Sequence, residues 1–226
     1  MFNIFKRKPS PPSVRETLFG DLPISQWPAK AVAGDAEPWV SFSRAGDHLK
    51  SGRSQEAVNL FRAVLAMPGL ESRHYAQAWH FLRESGIRPD AAIAKELLGV
   101  VVEVALSEGL DIVAAYPDGT ARYFNHSGAA VIWDAPDDSL RRQIGVVLEA
   151  GKVVVDQIGP WDKPRPPAPP MGQVRINLLT PSGLHFGQGP FDALATDQLG
   201  GPVISAATEL MQSLTARATN RRDSHA

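Results

Sequence analysis

Six histidines are the residues best suited to chemistry in this 226-residue chain, and their spacing limits what that chemistry can be. His48, His74 and His80 fall on stretches with helical periodicity, and none has a second histidine three or four residues away. A zinc site would therefore have to be assembled from distant positions. The chain has no cysteine, which excludes thiolate ligands and disulfides. No metal or cofactor is expected. His225 lies in the polar C-terminal tail.

His126 and His185 stand in settings that suit a ligand better. His126 belongs to Phe124-Asn125-His126-Ser127-Gly128, and His185 to Ser182-Gly183-Leu184-His185-Phe186-Gly187-Gln188-Gly189. Glycine lets a ligand approach the backbone closely. If both stretches end at one edge of one sheet, Asn125, His126, Ser127 and His185 converge, and a serine–histidine pair is the start of nucleophilic catalysis. Against this, Ser127 has no Gly-x-Ser-x-Gly elbow around it. Asn, Ser and Gly are also what turns use. Gly187-Gln188-Gly189 and Gly200-Gly201 precede a helix, but no Lys-Ser or Lys-Thr follows, so neither is a P-loop. Glu103 and Asp111 flank a predicted hairpin, where paired carboxylates on antiparallel strands are normally solvated.

These residues must be positioned by two kinds of element. Residues 39–86 read as three helices. Phe42, Ala45 and Leu49 form the first stripe. Ala57, Leu60, Phe61, Val64 and Leu65 form the second, and Tyr75, Ala78, Trp79 and Leu82 the third. Ser54 and Ser72 are candidate caps, Pro68-Gly69 and Gly86 are stops, and a short helix is expected from Asp90 to Leu97. From Leu98 the period changes. Apolar runs at 99–106, 110–116, 120–125 and 129–133 are separated by short turns that end in Gly109, Gly119 and Gly128. Connections this short require antiparallel pairing. A helix capped at Asp137, Asp138 or Ser139 follows, lined by Leu140, Ile144, Val147, Leu148, Gly151, Val154 and Val155. A proline-dense connector over 160–172 should be extended and semi-rigid. Alternation at Val174, Ile176 and Leu178 then predicts a strand, Leu184–Phe186 its return, and Val203 to Leu214 a last helix opened by Pro202.

The second helix and its surroundings resemble one tetratricopeptide repeat, over residues 39–68. Gly52-Arg-Ser-Gln-Glu-Ala57-Val-Asn-Leu-Phe61-Arg-Ala-Val64-Leu65, with Pro68 beyond, places Ala57 at that family's small position and Phe61 at its large apolar one. Ala45 matches in the preceding helix, whereas Ser41 and Arg44 depart from the family's aromatic and leucine. The resemblance implies a helical hairpin that binds another protein; a full array needs about three repeats.

The fold expected is α+β: an N-terminal helical hairpin region, then an antiparallel sheet of about six strands with two long helices. The segments are an irregular, proline-containing stretch at 1–38, a helical region at 39–97, an α+β domain at 98–215, and a disordered tail at 216–226. Formal net charge is −1, unlike the basic balance of a nucleic-acid binder. No apolar run spans a bilayer. Phe2, Ile4 and Phe5 beside Lys6, Arg7 and Lys8 offer weak contact with an anionic membrane surface, the basis of a peripheral-membrane alternative. Met1–Lys8 puts apolar residues before charged ones, the reverse of a secretory signal, so the expected location is cytoplasmic. The alanine-rich, cysteine-free composition is compatible with a bacterial origin. The functional reading is a soluble adaptor that binds another protein without catalysis, with Trp39, Tyr75, Trp79 and Trp161 as candidate partner-binding anchors. The rival is a small-ligand binder or hydrolase-like enzyme at His126 and His185.

Overall fold

A computed structural model describes residues 14–27, 36–134 and 138–223. Among them are seven α-helices and one six-stranded sheet. The helices are α1 (Val14–Phe19), α2 (Trp39–Lys50), α3 (Ser54–Ala66), α4 (Ser72–Glu84), α5 (Arg141–Gln157), α6 (Phe191–Ala195) and α7 (Gly200–Asp223). The strands are β1 (Gly99–Ala105), β2 (Leu110–Ala115), β3 (Ala121–Phe124), β4 (Ala130–Trp133), β5 (Gln173–Thr180) and β6 (Gly183–Pro190). No helix among the described residues is long and apolar enough to cross a membrane.

The strand order is β4-β3-β2-β1-β5-β6, and every neighbouring pair is antiparallel. The first four strands form the meander that their short turns require. Gly119 and Gly128, each at φ 84°, take the left-handed conformation that those turns need. The β5–β6 hairpin returns beside β1, with Val100 opposite Leu178 and Val102 opposite Ile176.

Alternation divides the sheet into two faces. On one, Val100, Val102, Val113, Ile176 and Leu178 meet α5 and α7 through Val147, Val155, Val203, Leu210 and Leu214. Each such side chain, fully buried, is worth about 1.5–3 kcal/mol. Gly151 brings α5 close: a β-carbon there would lie 2.7 Å from Val100 Cγ2. The other face carries Val101, Glu103, Ala114, Arg122, Arg175 and Asn177, all buried. It is covered by α1, by the N-terminus of α4 and by the proline segment 160–172. Tyr116 Oη donates to the Leu18 carbonyl at 2.7 Å and ties α1 down. Helices α2 to α4 form a separate core around Phe42, Phe61 and Phe81, whose rings lie 5.0–6.4 Å apart.

The α+β class, the six antiparallel strands and the three helices over 39–86 agree with the sequence pattern. Several details differ. Residues 1–38 are not uniformly irregular: α1 and a 3-10 turn at Ile24–Gln26 form there, with Leu18 and Phe19 covering a sheet face and Leu22 bonded through its backbone to Gln77 of α4. Asp90–Leu97 makes turns rather than a helix, with Ile93 N and Ala94 N both donating to the Asp90 carbonyl. Ser54 and Ser72 begin their helices as first residues without making side-chain caps. The Ser72 hydroxyl instead accepts from Asp118 N at 3.2 Å. Helix α5 starts at Arg141 with Leu140 in the cap position; Asp138 pairs with Arg141 at 2.8 Å instead. Helix α7 continues through the expected disordered tail to Asp223. The membrane-contact segment 2–8 lies outside the described residues.

Candidate binding cleft at the helix–sheet junction

The proline segment does more than space two elements. Trp161 N donates to the Leu184 carbonyl of β6 at 2.6 Å, and Gly172 N to the Ala105 carbonyl of β1 at 2.8 Å. Between these ends the Pro167 carbonyl accepts from Arg175 Nη1 at 2.6 Å. In an extended proline-rich segment the carbonyls have no internal backbone donors, so they are free to accept from an arginine. Beneath lies Glu103, with 0% exposure. It accepts from Arg15 Nε at 2.6 Å and Asn177 Nδ2 at 3.1 Å, with Arg175 Nη1 at 3.7 Å. Arg175 Nε also donates to Gln188 at 2.7 Å. A buried carboxylate is tolerable only with this many donors. Glu103 was expected in solvent; it is the centre of a latch that joins α1, β1, β5 and the proline segment. Asp111 lies on the opposite face, so the two carboxylates are not a pair.

Where the strap leaves β6 it forms one wall of a cleft of about 430 Å³. The opposite wall is the C-terminal end of α4, and the floor is the β5–β6 turn. Four cations line it: Arg83, Arg88, Lys163 and Arg165. Arg165 is bonded to Asp21 through both Nε and Nη2, the latter at 3.0 Å. Arg83 Nη1 donates to the Pro181 carbonyl at 2.8 Å, and Arg88 Nη1 to the Arg83 carbonyl at 3.2 Å. Burial lowers the Arg83 guanidinium to about 10, and the charge of Arg88 adds to that, against Asp21 and Glu84. Lys163 Nζ sits 5.4 Å over the Trp161 ring. Among the described residues no carboxylate lies within 4.0 Å of Arg83, Arg88 or Lys163. The α4 C-terminus supplies only about half a negative charge. His80 also lines the cleft; burial lowers it to about 4 despite Glu84 at 3.7 Å, so it is neutral at pH 7.

Glu84 is shared with a second groove of about 390 Å³ on the helical region. Its base is Phe61 and Phe81, and its sides are Ile24, Leu49, Val58 and Ile87. The two spaces meet at Glu84, around the C-terminal end of α4, the first floored by aromatic rings and the second lined by cations.

The four candidate anchors do not share a surface. Trp161, 37% exposed, is the one that lines the cationic cleft. Trp39 stacks on Trp27 at 5.6 Å and meets His74 at 5.0 Å. Tyr75 Oη donates to the Met67 carbonyl at 2.6 Å and so braces the α3–α4 turn. Trp79 packs half-buried on the helical core.

Nor does the structure bring the histidine site together. Strands β2, β1 and β5 lie between β3 and β6. Through the pairings, His185 stands level with Ala121 at the start of β3, whereas His126 follows its end at Phe124. His185 has 0% exposure. Asn125 Oδ1 accepts from Ser127 N, Ser127 Oγ and Ala129 N, at 2.8–3.1 Å, a turn held by its own side chain. His126 Nδ1 lies 3.1 Å from Asp111 Oδ1, and Tyr123 Oη donates to Asp111 Oδ2 at 2.8 Å. Convergence failed because the β5–β6 hairpin inserts on the far side of β1, which no local pattern encodes.

Arg83, Arg88 and Lys163 were missed in the sequence. The two arginines bracket the Gly86 stop, a readable signal for charge at a helix end, but nothing local links them to Lys163. No protein-family model, curated protein or solved structure matches the chain. The class that fold and site define is therefore an α+β protein with a helical cap and a junctional cleft.

Proposed function

We propose that the protein is a non-catalytic adaptor that holds an extended segment of another protein in the groove along α4. The observation that carries this reading is the adjoining pair of open spaces, about 390 and 430 Å³, that meet at Glu84 at the C-terminal end of α4. The two spaces run into one another on an open surface, and extended or helical segments fill grooves of this kind. The tetratricopeptide-like pattern of α2–α3 supports the same reading, since that hairpin supplies Leu49, Val58 and Phe61 to the groove. The cysteine-free composition supports a cytoplasmic location.

A photo-cross-linking side chain at the exposed groove rim, in place of Gln55, tests this in native lysate. A second version carries it at exposed Arg142 on α5. The expected result is a discrete protein adduct from position 55 that is absent from position 142. The same adducts from both positions, or none from position 55, would overturn the reading.

A further inference from the structure

The cationic end of the groove has a charge balance that specifies its occupant, and the inference rests on the adaptor reading above. Arg83, Arg88 and Lys163, which have no carboxylate within 4.0 Å among the described residues, share the cleft with Glu84 and Asp162. Two guanidiniums are held close enough to repel, and each is fixed from behind: Arg83 by the Pro181 carbonyl and Arg88 by the Arg83 carbonyl. Anchoring each arginine through one nitrogen leaves the rest of its planar donor set for a ligand. The geometry points to a peptide carboxylate, an aspartate or glutamate of the partner segment, bound by Arg83 and Arg88 with Lys163 across the cleft.

Two features favour a carboxylate on a peptide over a free phosphate. Glu84 and Asp162 reduce the net charge of the cleft to about one positive unit once Arg165 and Asp21 cancel. That suits a single negative charge; a phosphate near two charges would meet those carboxylates as well. The walls are also partly apolar, with Trp161, Pro160, Pro164 and Leu184 beside the cations. A segment with acidic residues set among apolar ones matches both walls, and its apolar residues continue past Glu84 into the groove over Phe61 and Phe81. Arginine is the side chain that best matches a planar carboxylate.

The test uses the full-length chain and fluorescence polarisation of a labelled probe, acetyl-Ser-Leu-Leu-Glu-Leu-Leu-amide, beside the same peptide with glutamine for glutamate. The glutamate peptide is expected to bind at least tenfold more tightly, with affinity that falls as salt rises. Arg88→Glu, at an exposed position, should erase that tenfold preference, and Lys163→Glu should reduce it. Both variants lie at the surface and should leave the thermal transition in place. Arg83→Gln is measured beside them, with circular dichroism to show that the chain is folded. Equal affinity for the two peptides, no effect of Arg88→Glu, no binding of either probe, or displacement by millimolar inorganic phosphate would each overturn the inference. Its failure is separable from that of the adaptor reading, because the position-55 adduct survives the first and is lost with the second.

Discussion

On one face of the sheet, Val100, Ile176 and Leu178 meet α5 and α7 through side chains that carry no charge. On the other, Glu103, Arg175, Asn177 and Arg122 are just as deeply buried, under α1, the proline strap and the start of α4. Both faces exclude water, by different means. Apolar contact is non-directional, so the α5–α7 layer gains its energy from area and tolerates small shifts. Hydrogen-bonded charge is directional, so the strap has one position in which Pro167, Gln188 and Glu103 are all satisfied. The cleft wall is made of that strap. The difference assigns stability mainly to one face and the placement of the binding surface to the other.

Removing Glu103 strikes this division hardest. Glu103→Ala leaves Arg15 and Arg175 without their carboxylate, and breaking a buried pair from one side costs about 3–5 kcal/mol. Urea denaturation should show that loss, and acrylamide should reach Trp161 more readily in the still-folded protein as the strap loosens. Replacing Arg15, Glu103 and Arg175 together with apolar residues should recover most of the stability while Trp161 stays accessible. Full recovery of both would mean that the charges do not place the strap.

Leu210→Ala addresses the other face. Leu210 has 0% exposure between α7 and the sheet, and truncation there costs about 2–5 kcal/mol from lost transfer energy and the cavity left behind. Here Trp161 quenching should remain that of the intact protein up to the global transition. A rise in quenching at native urea concentrations would show that the two faces are mechanically coupled.

The apolar face was readable in the sequence because period-2 and period-3.6 patterns report burial against a partner layer. Val174, Ile176 and Leu178 alternate, and Leu140 to Val155 form a stripe. The charged face was not. Glu103 sits in Val100-Val101-Val102-Glu103-Val104, where alternation predicts a solvated carboxylate, and its burial depends on Arg15, 88 positions earlier, and Arg175. Six histidines drew attention because the side chain is versatile, yet the ones brought to the groove or its neighbours are buried and neutral. Arginines at a helix stop drew none, and they line the cleft. Local pattern carries layer and period; cross-chain pairing of polar groups depends on topology, and the insertion of β5–β6 beside β1 decides it.

Acid should separate the faces as well, because three groups with lowered values, Glu71, His74 and His80, lie on or beside α4. Burial raises the Glu71 carboxyl, but the Arg73 hydrogen bond at 2.7 Å and the charges of Arg73 and Arg122 overcome this and leave it at about 2. His74 is lowered to about 4 by burial and by Arg73, and His80 to about 4 by burial. All three are depressed in the folded state, so the unfolded chain binds protons first and stability falls with pH. The histidine contribution is lost between 6.5 and about 4, and the Glu71 contribution between 4.5 and about 2. Urea midpoints measured across this range should decline in two overlapping steps, with Glu71→Gln flattening only the lower one. A midpoint independent of pH above 4 would show that the histidines are not buried as neutral rings.

Tyr116 makes the finest distinction. It is fully buried on the charged face, yet its neighbours Val101, Ile112, Leu18 and Phe19 are apolar, and its single polar atom holds the Leu18 carbonyl at 2.7 Å. Burial raises the phenol well above its ordinary value, so it remains a donor at any pH the fold survives. Tyr116→Phe keeps the ring and removes only the hydroxyl, which leaves one buried carbonyl unpaired at a cost of about 1–2 kcal/mol. If direction matters on this face, the loss should appear locally: amide exchange over α1 should accelerate while exchange in α5 and α7 stays unchanged. A uniform change across all three helices would mean that Tyr116 acts as ordinary core, and that α1 is held by the contacts of Leu18 and Phe19 alone.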